Sequence, residues 1–159
     1  MKIADFLAAD HLRLRALLAQ ATADPSRIEL APYRDFRAGL LRHIAMEEKV
    51  LFRLARERRG SPLPVTIQLH ADHAALATLL VPSPTHALVA TIRDILVEHD
   101  PLEEGPDGLY AECERLAGPD VDDVLARMHA IPPVRASQHV DEPRIHEAIA
   151  RLLAARRAP

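Results

Sequence analysis

Apolar residues recur three and four positions apart along most of this chain, and almost no stretch alternates at period two. That spacing predicts an all-α protein. Prolines and glycines punctuate the pattern into four long helices. The first spans about Ile3 to Ala21, with Ile3, Leu7, Leu14 and Leu18 on one face. The second spans about Pro32 to Arg59 and carries Tyr33, Phe36, Leu40, Leu51 and Leu54. The third, about Pro64 to Leu80, turns Leu69, Leu76 and Leu80 inward, and the fourth, about Thr85 to Asp100, does so with Leu88, Ile92, Ile95 and Leu96. Four helices of this length joined by short breaks favour an up-and-down four-helix bundle. Pro101 and the GPDG segment predict a kink, with helix four resuming in LYAECERL until Gly118 and Pro119. Residues 119–159 then read as a C-terminal helical extension packing on the bundle of residues 1–118: a short helix in DVDDVLARMHAI, an extended crossing, and a last helix with Ile145, Ile149, Leu152 and Leu153 on its apolar side.

The apolar stripes are interrupted in a regular way. His11 sits on the first, His43 and Glu47 on the second, His70 and His73 beside the third, and His99 on the fourth, with Glu103 one turn further on. In HIAME and HDPLE the i, i+4 spacing puts imidazole and carboxylate on one helix face, within reach of one ion. A single buried polar group left unpaired costs about 1 to 3 kcal/mol, so seven in one core call for mutual pairing or a metal. Metal ligation is the reading that accounts for all seven together.

Composition sharpens this. There are nine histidines but no Trp, two Tyr and three Phe, and the one cysteine, Cys113, excludes a disulfide within the chain and any multi-cysteine metal site. A metal here is therefore held by nitrogen and oxygen. A net charge of −3 with interspersed signs offers no field for a nucleic-acid backbone or an anionic membrane. With no apolar run near the length of a membrane span and no secretory leader pattern at the N-terminus, a soluble cytoplasmic protein is expected. His86, His129, His139 and His146 fall off the inward stripes, and Tyr33, Phe36, Tyr110 and Cys113 read as core. Glu48 and Glu104 read as solvated acids or as hydrogen-bond partners of the ligand imidazoles.

The order His11, HIAMEEKVLF, HADHAAL, HDPLEEGPDGLY resembles the hemerythrin-like (HHE cation-binding) family over roughly the first 115 residues. The resemblance implies a four-helix bundle holding two non-haem irons. His11 and His43 would bind one, His70, His73 and His99 the other, and Glu47 and Glu103 would bridge them; with an oxo or hydroxo group also bridging, the two-histidine iron is left with an open position for O2, peroxide or NO. Zinc or manganese would also suit such donors. Members of this kind bind or sense O2, or act as stress-defence enzymes that reduce peroxide or NO or donate iron for repair. A metal-free helical interaction module is the remaining class. The chain departs from hemerythrin proper in two places. His70 and His73 are three apart, about 60° around the helix axis, which puts His70 at the margin of the site. Pro101 leaves Glu103 and Glu104 both in play as the second bridge.

Overall fold

The computed structural model describes residues 1–157. Every regular element among them is helical: α1 Ile3–Ala21, α2 Leu30–Met46, a π-helical turn Glu47–Leu51, α3 Phe52–Arg59, α4 Val65–Leu79, α5 His86–Glu104, α6 Leu109–Ala117, α7 Val121–His129 and α8 Pro143–Arg157. The stretch α2, π turn and α3 is one rod, so four rods form the bundle that the apolar periodicity predicts. The second rod ends at Gly60 with φ 76°, the left-handed closure that glycine adopts without a Cβ penalty. At the start of α5, Thr85 caps the helix by accepting a hydrogen bond from the Leu88 amide.

The predicted inward positions fill two apolar clusters. One gathers Ile3, Leu7, Met46, Leu51, Leu54, Leu69 and Cys113, and the other gathers Leu14, Leu18, Tyr33, Phe36, Leu40, Leu76 and Ile92. Between them, at one level of the bundle, each rod contributes polar side chains: His11 lies between Leu7 and Leu14, His43 between Leu40 and Met46, and His73 between Leu69 and Leu76. Fully burying each of the large apolar side chains contributes roughly 1.5 to 3 kcal/mol, so two aliphatic blocks clamp the polar layer.

The structure departs from expectation around Pro101. Helix α5 runs through the proline to Glu104, four residues beyond the expected end, with the Gly105 amide still bonding to the Pro101 carbonyl. Pro101 and Val97 are both exposed, so water can take up the carbonyl that the proline leaves without a partner. Helix four then finishes rather than kinks. The chain reverses over Gly105–Gly108 and starts α6 as a separate helix. A Cβ at Gly108 would lie 2.6 Å from the Glu103 carbonyl oxygen, so only glycine permits a reversal this tight.

Beyond the bundle, α7 packs on α1, α6 and the π turn, and buries Met128 in the first cluster. The extended stretch after it is pinned where Arg37 donates to the Ser137 carbonyl and Asp141 accepts from the Ser83 amide and hydroxyl. Helix α8 lies along α4 and buries Ile149. No helix among the described residues is long and apolar enough to cross a membrane.

Candidate metal centre

Six of the seven predicted ligands converge. The donor atoms of His11, His43, Glu47 and Glu103 lie within 4.8 Å of one another, and so do those of Glu47, His73, His99 and Glu103. All six side chains are buried. The two sets share both glutamates, and each glutamate divides its oxygens between them. Glu47 Oε1 is 3.3 Å from His43 Nε2, while its Oε2 is 3.2 Å from His73 Nε2. Glu103 Oε2 is 3.4 Å from His11 Nε2, while its Oε1 is 2.7 Å from His99 Nε2.

Each of the four imidazoles turns Nε2 inward because a carboxylate holds Nδ1. His11 Nδ1 pairs with Glu104 at 2.5 Å, His43 with Asp10 at 2.9 Å, His73 with Glu48 at 3.0 Å and His99 with Asp72 at 3.2 Å. An acceptor on the outer nitrogen fixes tautomer and ring orientation and makes the inner nitrogen a better donor, the usual arrangement for a metal-binding histidine. The ring of Phe52 stacks on His73, with centroids 5.8 Å apart.

The alternatives left open by the sequence are decided by helix geometry. Because α5 continues through Pro101, Glu103 stays one turn below His99 and is fully buried, while Glu104 points to the margin and holds His11 from outside. His70 does not join the cluster. Its side chain is 70% exposed and its Nδ1 meets Glu48 Oε1 at 2.9 Å. About 60° around α4 from His73, on the side away from the buried Leu69 and Leu76, it forms part of the wall of a surface cleft of about 1000 Å³ lined also by Phe52, Arg56 and Ile67. Of the other histidines, His86, His129 and His146 are exposed, and His139 stacks on Tyr33.

Sequence reasoning missed three residues. Tyr110, read as core, reaches the centre from α6: its hydroxyl donates to Glu47 Oε1 at 2.6 Å and lies 3.0 Å from Glu103 Oε2. Asp10 and Asp72 hold ligand imidazoles from neighbouring helices, and Asp72 is in turn bonded by Gln68 and by Arg156 of α8. Both aspartates immediately precede an inward histidine, a signal that was available. Their partners lie across the bundle, and the sequence alone gives no pairing.

Electrostatics follow from packing acids and bases in a dry layer. Burial disfavours a charged His43, but the Glu47 charge and the Asp10 hydrogen bond outweigh it and raise its pKa to about 10. His73 is opposed by burial in the same way and raised to about 10 by Glu103 and Glu47. Burial and repulsion from Glu103 act to raise Glu47, but His43 and His73 win and lower it; Glu103 goes well below its ordinary value, against burial, through His11, His73 and His99. Asp10 is held at about 2 because hydrogen bonds from His43 and Arg13 outweigh its burial. Burial, with the charges of Glu47 and Glu103, pushes the Tyr110 phenol well up. Without a metal, protonated His43 and His73 thus face the carboxylates of Glu47 and Glu103.

That cluster is incompletely satisfied, and this tests whether a metal fits. Glu47 Oε2, Glu103 Oε1 and His73 Nε2 are buried without a hydrogen-bond partner, and all three belong to the second donor set. Buried polar atoms gathered around a common point without hydrogen-bond partners are what a cation would satisfy, once it has displaced the proton on His73. Nitrogen and carboxylate oxygen donors suit a divalent or trivalent transition metal.

An all-helical bundle with inward histidines and carboxylates at its centre defines a cation-binding helical bundle. The sequence profile of the family described as "Hemerythrin HHE cation binding domain" matches residues 2–107, and the chain belongs to that family. No curated protein and no solved structure matches the chain.

Proposed function

We propose that the chain is a non-haem di-iron protein whose centre binds a small oxidant: O2, NO or peroxide. The observation that carries this reading is the division of both glutamates between two donor sets, since a carboxylate that offers one oxygen to each of two sites is suited to bridge two metals. Glu47 and Glu103 would bridge, with His11 and His43 on one side and His73 and His99 on the other. When bound, the irons would supply one-electron redox chemistry and a coordination position for the oxidant. Around them Asp10, Glu48, Asp72 and Glu104 hold the imidazole Nδ1 protons and keep Nε2 aimed inward.

A second reading, turnover of peroxide or NO, has one specific support. The exposed His70, Glu48 Oε1 and His73 Nδ1 form a continuous hydrogen-bonded run from the surface cleft to the edge of the centre. Turnover needs protons delivered from solvent, whereas reversible binding does not.

Anaerobic reconstitution with ferrous iron, metal counting and then exposure to O2 or peroxide tests both readings. Two irons per chain are expected; one or none refutes the dinuclear assignment. A reversible spectral change under O2 marks binding, and catalytic loss of peroxide that slows in His70→Ala marks turnover.

A further inference from the structure

Tyr110 lies past residue 107, where the family match ends, and on a helix that begins only after the Gly108 reversal. Its hydroxyl is nevertheless central to one donor set. It lies 2.6 Å from Glu47 Oε1, 3.0 Å from Glu103 Oε2, 3.2 Å from His43 Nε2 and 3.3 Å from His11 Nε2. Two donors at right angles on a metal with bonds of about 2.1 Å stand about 3 Å apart. All four separations fall near that value, so the phenolic oxygen is placed as a neighbouring vertex to each of the other four donors.

We propose that Tyr110 is itself a ligand, supplying its phenolate oxygen to the metal held by His11, His43, Glu47 and Glu103. As the oxygen–metal bond forms, the phenolic proton that Glu47 Oε1 accepts in the metal-free protein leaves to solvent, and no electron is transferred. The assignment rests on the dinuclear reading above, and it inverts the expected asymmetry of the pair. With Tyr110 added to one side and the exposed His70 absent from the other, the metal on His73 and His99 has fewer protein donors. The position open to a small oxidant is thereby moved to that side, under Phe52 and next to the His70 to Glu48 run.

The segments HIAMEEKVLF and HDPLEEGPDGLY explain how the chain delivers the phenol. Both carry His, then Glu-Glu four residues on, then a leucine–aromatic pair, but the second has two extra residues before that pair. In the first, Phe52 follows within the continuous rod and stacks on His73. In the second, the added residues build the reversal, and Tyr110 returns into the layer with 1% of its surface exposed.

The test is iron-loaded protein oxidised to the ferric state with ferricyanide, compared with Tyr110→Phe, which keeps the ring and loses only the oxygen. Wild type is expected to hold two irons and to show a visible phenolate-to-iron charge-transfer band with tyrosinate ring modes enhanced in resonance Raman spectra. Tyr110→Phe is expected to keep two irons and lose the band. Titration with azide should saturate at one equivalent more in the variant than in wild type, because removal of the phenolate oxygen frees one further coordination position. A two-iron wild type without tyrosinate modes overturns the assignment, as does a band that survives in Tyr110→Phe or equal azide stoichiometry in both proteins. Fewer than two irons in wild type defeats the dinuclear reading separately, and the same Raman modes then decide whether Tyr110 binds the remaining iron.

Discussion

Metal-free and metal-loaded protein should respond to pH in different ways. In the metal-free layer His43 is faced by Asp10 and His11 from α1, Glu47 from its own rod, Glu103 from α5 and Tyr110 from α6; His73 is faced by Glu47, Glu48, Glu103 and His99. Both imidazoles are raised from 6.5 to about 10, so the folded protein holds two protons that the unfolded chain releases above its ordinary histidine pKa. The stability they contribute is fully present below pH 6.5 and is lost as pH rises towards 10. Two protons correspond to at most ~2.7 kcal/mol per pH unit, a fall in Tm of ~5 to 10 °C per unit for a chain of this size. Once metal has displaced those protons, folded and unfolded states no longer differ in them, and this slope should vanish. Thermal melts at pH 7.0 and 7.8 with and without metal check it, in a window below the ordinary thiol pKa so that Cys113 contributes little. A metal-free Tm that stays level or rises, or metal stabilisation equal at both pH values, would refute the charged-layer reasoning.

Three other outcomes follow from the geometry. His43→Ala removes one inner nitrogen and takes one partner each from Asp10 and Glu47, so metal counting should give at most one ion per chain; two ions would exclude His43 as a ligand. Asp72→Ala frees His99 Nδ1 and unties Arg156 of α8, and should weaken metal affinity roughly 10- to 100-fold in competition with a chelator, an unchanged affinity being the contrary result. Leu76→Ala, in a fully buried site directly beside the polar layer, should cost about 2 to 5 kcal/mol in denaturant unfolding, and a loss under 1 kcal/mol would show that the second cluster can collapse around the gap.

The helices, their apolar faces and the inward histidines were legible in the sequence because each depends on residues three or four apart on one helix. The same locality made His43 with Glu47, and His99 with Glu103, visible as pairs. It also flagged His70 as marginal, since its 60° offset from His73 lies on the side of the helix away from Leu69 and Leu76. Three features were decided only when helices met. The choice of Glu103 over Glu104 depends on α5 passing through Pro101, and local preference alone favours a break there. Each outer carboxylate comes from a different helix than the imidazole it holds, or, for Glu48, from the rod opposite α4, so pairings such as Asp10 with His43 and Asp72 with His99 have no sequence spacing to be read from. Tyr110 looked like one more aromatic for the core, and only the reversal at Gly108 aims it into the layer. What the sequence determined by itself is a helical bundle with a nitrogen and oxygen site in its middle. Tertiary packing decided which oxygens face which nitrogens, because that depends on how four rods and a returning helix sit side by side.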